Sequence, residues 1–166
     1  MAKRDRSPYQ IALDLLSRRD HFRSELVEKL RQRNVPDGDI RGAVARCEKL
    51  DLINDQRVAE RFVEVRAADR GWGPHRLEAE LRKRGIEAAD AESLSKLPDE
   101  LADAAMRTAL RKLEVRAPGG WWRDGQRRAR MVSSLITRGF EAEVAIAAVD
   151  ELAASRENRN HALDDQ

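Results

Sequence analysis

Aromatic side chains are scarce, seven in 166 residues, or 4% of the chain. That scarcity argues against one large, deep core and for small helices with aliphatic faces. There is a single cysteine, Cys47, so no disulfide framework exists. The longest apolar run, Val144–Val149, falls far short of the ~20 residues that span a bilayer, and no membrane partner is expected. The start of the chain, Met1 to Gln10, is polar and charged and has no secretory apolar stretch. A cytoplasmic protein with a reduced Cys47 is the expectation. Missing too are GxxxxGK[ST] and GxGxxG loops, and His21, His75 and His161 stand far apart, with no Cys or His at metal-ligand spacing. No catalytic residue, metal or cofactor is therefore assigned. Glu60 and Glu64 lie one helical turn apart, but carboxylates here are spaced like solubilising pairs.

Charge, by contrast, is abundant, at 37% of residues against ~25% in an average soluble domain. The net charge of +2 conceals an uneven spread: residues 107–138 carry +7 and residues 139–166 carry −5. A local basic stripe can meet phosphate or an acidic protein surface, although a solvated helix face with paired charges has the same composition.

The most informative feature is a repeat. Leu26-Val27-Glu28-Lys29-Leu30-Arg31-Gln32-Arg33-Asn34-Val35 recurs 51 residues later as Leu77-Glu78-Ala79-Glu80-Leu81-Arg82-Lys83-Arg84-Gly85-Ile86. It recurs more faintly, another 54 residues on, as Met131 to Phe140. An apolar pair at i, i+4 belongs to one helix face. Asn34, Gly85 or Gly139 after it is a helix stop that tolerates the left-handed conformation, and the following Val35, Ile86 or Phe140 can fold back on the last turn. Around each copy lie two further helical stretches. Ser7-Pro8 starts the first, with Ile11, Ala12, Leu15 and Leu16 as its stripe. Further stripes read as Ile40, Val44, Cys47 and Leu50; as Val58, Ala59, Phe62 and Val65, after a cap at Asn54 or Asp55; as Ala102, Met106, Leu110 and Leu113; and as Val144, Ala148 and Leu152. No period-2 alternation suggests a strand. The expected fold is all-α, an elongated, curved array of three tandem three-helix repeats over 7–51, 52–97 and 98–153. Units of that size are too small to be secure alone and gain a shared core by stacking. Residues 114–125 read as an inserted loop, and residues 154–166 as a frayed polar tail.

At the second unit the sequence becomes specific. Leu52-Ile53-Asn54-Asp55-Gln56-Arg57-Val58-Ala59-Glu60-Arg61-Phe62-Val63, then Arg70-Gly71-Trp72-Gly73-Pro74-His75-Arg76-Leu77, then Glu80-Leu81-Arg82-Lys83-Arg84-Gly85-Ile86 closely resembles the RecX family, bacterial regulators of the RecA recombinase. Arg19-Asp20-His21, Glu25-Leu26, Lys29-Leu30 and Arg138-Gly139-Phe140 extend the match, which covers about 8–153. Departures from the pattern are local. Phe22 stands where a capping serine is common, so either Asp20 caps instead or the first turn is remodelled. Asp51 replaces a common glycine, Val58 replaces a common aromatic, and the Gly119-Gly120-Trp121-Trp122 insert lies outside the pattern.

The resemblance implies a non-enzymatic, all-helical monomer. Such a protein binds RecA and its filament on single-stranded DNA and restrains extension, ATP hydrolysis and strand exchange, with at most weak single- or double-stranded DNA contact of its own. Candidate partner-binding residues are Arg57, Arg61 and Arg76; Arg66, Arg70, Trp72 and His75 around the Gly-Pro turn; Arg82, Lys83 and Arg84 at a helix end; and Trp121, Trp122, Arg127, Arg128, Arg130 and Arg138 in the third unit. The competing expectation is a helical-repeat protein that grips DNA directly, without RecA.

Overall fold

Each of the three recurring helix ends closes in the same way. The computed structural model describes residues 6–164, the last four by backbone alone. The first five residues, the final two and the His161 side chain lie outside that description. Among the described residues the chain is all-helical, with nine α-helices and no strand. The first three are α1 (Pro8–Leu16), α2 (Arg23–Arg31) and α3 (Asp37–Lys49). Next come α4 (Asp55–Val65), α5 (Pro74–Lys83) and α6 (Ala88–Ser95), and last α7 (Asp99–Glu114), α8 (Gly125–Thr137) and α9 (Ala142–Asp164). After α2, α5 and α8 the stop residues Asn34, Gly85 and Gly139 take positive φ angles of 59°, 88° and 93°. The next amide then reaches back five residues: Val35 N to Leu30 O, Ile86 N to Leu81 O and Phe140 N to Leu135 O are all 3.2 Å. This is a Schellman closure, which satisfies carbonyls that a helix end otherwise orphans.

Helix starts follow the local chemistry. Ser7 and Gln10 form a reciprocal capping box on α1, with Pro8 in its first turn. Asn54 caps α4 by accepting from Arg57 N at 3.0 Å, and Asp124 caps α8 by accepting from Gln126 N and Arg127 N. At α2 the first turn is remodelled, and Asp20 does not cap it. Phe22 occupies the cap position and offers no side-chain acceptor. The carboxylate that meets the exposed Arg23 N–H, at 2.7 Å, is Asp55, 32 residues away. Burial raises the Asp55 carboxyl above its ordinary range, against the Arg23 amide, which lowers it.

The helices bury two separate apolar clusters. One is confined to the start of the chain and holds Ala12, Leu15, Leu26, Leu30, Ile40, Val44, Cys47 and Ile53. Cys47 is fully buried, and that burial raises its thiol pKa. The other cluster runs without a break from α4 to α9, through Leu77, Leu81, Ala105, Ala109, Leu135 and Val149. Phe22, from the start of α2, is its one buried member contributed by the first repeat.

Several stripes differ from expectation. In α9 the buried residues are Ala145, Val149 and Ala153, one position on from Val144, Ala148 and Leu152, and Val144 is exposed. In α7 the buried pair is Ala105 and Ala109, with Met106, Leu110 and Leu113 flanking them. α4 buries Ala59 and Val63 and leaves Val65 43% exposed, and Leu50 at the end of α3 is exposed as well. The expected frayed tail over 154–166 is instead helical as far as Asp164, and its last two residues lie outside the described ones. Arg156 Nε on that extension bonds Glu114 Oε1 at the end of α7, an ion pair that raises the Arg156 pKa. The 114–125 segment includes one 3₁₀ turn, Trp121–Arg123, that buries Trp121 in the large cluster.

Candidate partner-binding surface

Three places gather the residues singled out by sequence. The first is the Arg70-Gly71-Trp72-Gly73-Pro74 turn. α4 ends in a five-residue π-helical turn, Arg66–Arg70, that lies against α7. A Cβ on Gly71 would come within 2.6 Å of Ala109 N, so the turn meets α7 backbone to backbone. Gly73 N donates to Arg138 O at 2.8 Å and His75 N to Gly139 O at 3.1 Å. A Cβ on Gly73 would sit 2.6 Å from Gly139 C, and one on Gly139 would sit 2.6 Å from Arg76 Cβ. The turn is thus seated on the end of α8 with no room for a side chain. His75 is exposed, its Nε2 3.7 Å from Glu141.

The second place is a row of rings and guanidiniums. Phe22 meets Phe62 edge to face at 6.0 Å, and Phe62 meets Trp72 in the same manner at 6.1 Å. Arg84 lies 4.5 Å from the Phe62 ring centre and Arg66 5.3 Å, while Arg76 lies 4.2 Å from that of Trp72. Beside this row an open groove of about 1150 Å³ separates the first repeat from α4 and the end of α5. Its carboxylates are largely committed. Arg84 and Lys83 hold Glu80 below its ordinary pKa by hydrogen bonding, against the raising effect of burial. Burial would raise Glu25, but Arg19 and His21 outweigh it and the carboxyl falls below its usual range. His21 is buried, its Nδ1 3.1 Å from Glu25 Oε2 yet outside hydrogen-bond geometry. Across the groove Arg61 is exposed, and no carboxylate among the described residues lies within ion-pair distance of it. Arg57, one turn earlier on α4, is likewise exposed and unpaired. Arg82 pairs with Glu78 at 3.3 Å.

The third place is α8 and the loop before it. Arg127, Arg128 and Arg130 do not form one compact patch, because a helix turns ~100° per residue. Arg127 pairs with its own cap Asp124 at 3.0 Å, Arg128 reaches Asp150 on α9 at 3.6 Å, and Arg130 stays exposed. Trp121 is buried, and Trp122 meets it edge to face with a buried, unpartnered Nε1. Arg138 donates to Ser134 O, and burial lowers its pKa, helped by Arg116 and Arg76 nearby. Of the residues singled out by sequence, those that are exposed with no carboxylate in ion-pair range among the described residues are Arg57, Arg61, Arg70 and Arg130. The other candidate cations pair with a carboxylate, lie against a ring or are half-buried in the fold. Sequence reasoning missed the roles of Phe22 and Asp55, which depend on contacts with Phe62 and Arg23 more than thirty residues away. Among the described residues no three His, Cys, Asp or Glu side chains converge as a metal site, and no helix is long and apolar enough to cross a membrane.

Comparison with known proteins gives a consistent result. The chain matches the sequence models of two RecX domains, the first three-helix domain over residues 9–47 and the second over 54–93. It is 36% identical over 134 residues to the regulatory protein RecX of Pseudomonas entomophila, covering 80% of this chain and 83% of that one. With the regulatory protein RecX of Stenotrophomonas maltophilia it shares 33% over 141 residues, 84% and 83% of the two chains. The crystal structure of RecX from Lactobacillus salivarius superposes with a TM-score of 0.70 at 29% identity, over 87% of this chain and 94% of that one.

Proposed function

The chain belongs to the RecX family of regulatory proteins, and from that premise we propose that it binds the RecA filament on single-stranded DNA and limits its extension, ATPase and strand exchange. The family is non-enzymatic, and the protein acts by occupying surface. The observation that carries this reading is the set of exposed, unpaired candidate cations, Arg57 and Arg61 on α4, Arg70 in the turn after it and Arg130 on α8. Several weak contacts from one rigid body add up by avidity, where none of them would suffice singly. A repeat of ~50 residues is roughly 25 Å across by compact-domain scaling, so three in series reach more than one filament subunit. Extension stops when the next subunit's docking face is covered.

The test is RecA ATPase and filament length with and without this protein. The expected result is slower hydrolysis and shorter filaments as dose rises. Unchanged filaments at saturating dose would sink the proposal. Binding to bare DNA that falls steeply with salt, with inhibition explained by that binding alone, would favour a direct DNA binder instead.

A further inference from the structure

We propose that the groove between the first repeat and the α4–α5 pair is a docking site for an acidic protein segment that carries an apolar side chain. This deepens the regulator reading and rests on it, because the segment is taken to belong to the filament protein and not to its DNA.

The charge left over in the groove favours an acidic occupant. Six cations and three carboxylates line it. Glu25 and Glu80 are already occupied by Arg19, Lys83 and Arg84. Arg18, Arg61 and Arg66 remain without a carboxylate in ion-pair range among the described residues, against the single exposed carboxylate of Asp20. A guanidinium lying on an aromatic ring, as Arg66 does on Phe62, is held in place with its donor edge still able to take a carboxylate. The floor then asks for something apolar. Leu16, Val58, Phe62 and Val65 line the same groove, and Val65, at 43%, is the most exposed apolar residue of α4.

Single-stranded nucleic acid fits less well. Sequence-tolerant strand binding uses aromatic faces on which bases stack. Here Phe62 already carries Arg84 and Arg66, and its edge contacts tie it to Phe22 and Trp72.

The experiment uses purified RecA filaments on oligo(dT) and this protein with a photocrosslinking residue in place of Val65. The expected adduct joins the protein to a RecA segment of net negative charge. An adduct on the oligonucleotide, or no adduct while the labelled protein still inhibits ATPase, would overturn the groove assignment and leave the regulator reading standing. Failure of the unmodified protein to inhibit at all would overturn both. In parallel, Arg18→Glu combined with Arg61→Glu is expected to weaken filament binding at least tenfold with unchanged helicity, because both side chains are exposed and unpaired. Arg41→Glu on α3, outside the groove, is expected to change it less than twofold. Equal effects of the two variants would also overturn the assignment.

Discussion

The junction after the first repeat and the junction after the second begin from matching helix ends and are built from different materials. Between the first and second repeats no helix of one lies along a helix of the other among the described residues. The joint is made by end groups: Asp55 on Arg23 N, Ser24 Oγ on Arg84 O at 2.5 Å, and Phe22 against Phe62. Between the second and third repeats, the Gly71–Pro74 turn that leads into α5 presses backbone to backbone on α7 and on the end of α8, and one apolar cluster runs through both repeats. The repeated motif therefore specifies a helix stop, and residues outside the motif decide whether the next repeat is fused or merely tethered. The thin junction is also the one with a groove beside it.

The sharpest way to break this comparison is at equivalent glycines. Gly139→Ala places a methyl against Arg76 at a left-handed residue in a packed joint. Overpacking plus strain is expected to cost about 3 kcal/mol or more in denaturant unfolding. Gly85→Ala, at the same motif position, has only Ser24 Cβ near, at 3.9 Å, and is expected to cost just the left-handed strain, ~1 kcal/mol. The first repeat already carries Asn34 there. Equal losses at Gly139 and Gly85 would erase the distinction between the joints.

A smaller effect is expected at the tether. Asp55→Ala removes the acceptor for Arg23 N and is expected to cost ~1 kcal/mol, a typical cap value. Asp55→Asn keeps an acceptor and removes the buried charge, so its loss should be less than half of that. A larger loss for Asn than for Ala in thermal unfolding would contradict the capping role.

The smallest effect is with pH. Glu80 and Glu25 are lowered in the folded protein, so each contributes stability that is fully present above its unfolded value near 4.5 and is lost as pH falls through the folded value. Acid titration of stability should decline below the ordinary glutamate range. Glu80→Gln should flatten part of that decline, and an unchanged slope would remove Glu80 from it.

How much of this was legible in the sequence depends on the range of the contact involved. Ser7, Pro8 and Asn54 act on their own helices, and the stops at Asn34, Gly85 and Gly139 act on the turn just before them, so composition and spacing revealed them. The α9 register was not legible, because Val144, Ala145, Ile146, Ala147, Ala148 and Val149 are all apolar and only the packing partner selects a face. Nor was the helical extension past Ala153, since it depends on Glu114, 42 residues before Arg156. The candidate site divides in the same way. Exposed Arg57 and Arg61 could be named from the family pattern. That Arg127 and Arg128 are tied to Asp124 and Asp150, and that a groove opens beside Phe22, follows from tertiary placement alone.

The unequal joints are tested most directly by native-state hydrogen exchange followed residue by residue. Amides around Leu26, Leu30 and Val44 are expected to exchange through an opening of the first repeat that leaves those around Leu77, Leu81 and Leu135 protected. A single shared opening free energy across α2, α5 and α8 would mean that all three repeats unfold as one, contrary to a tethered first repeat and a fused second and third.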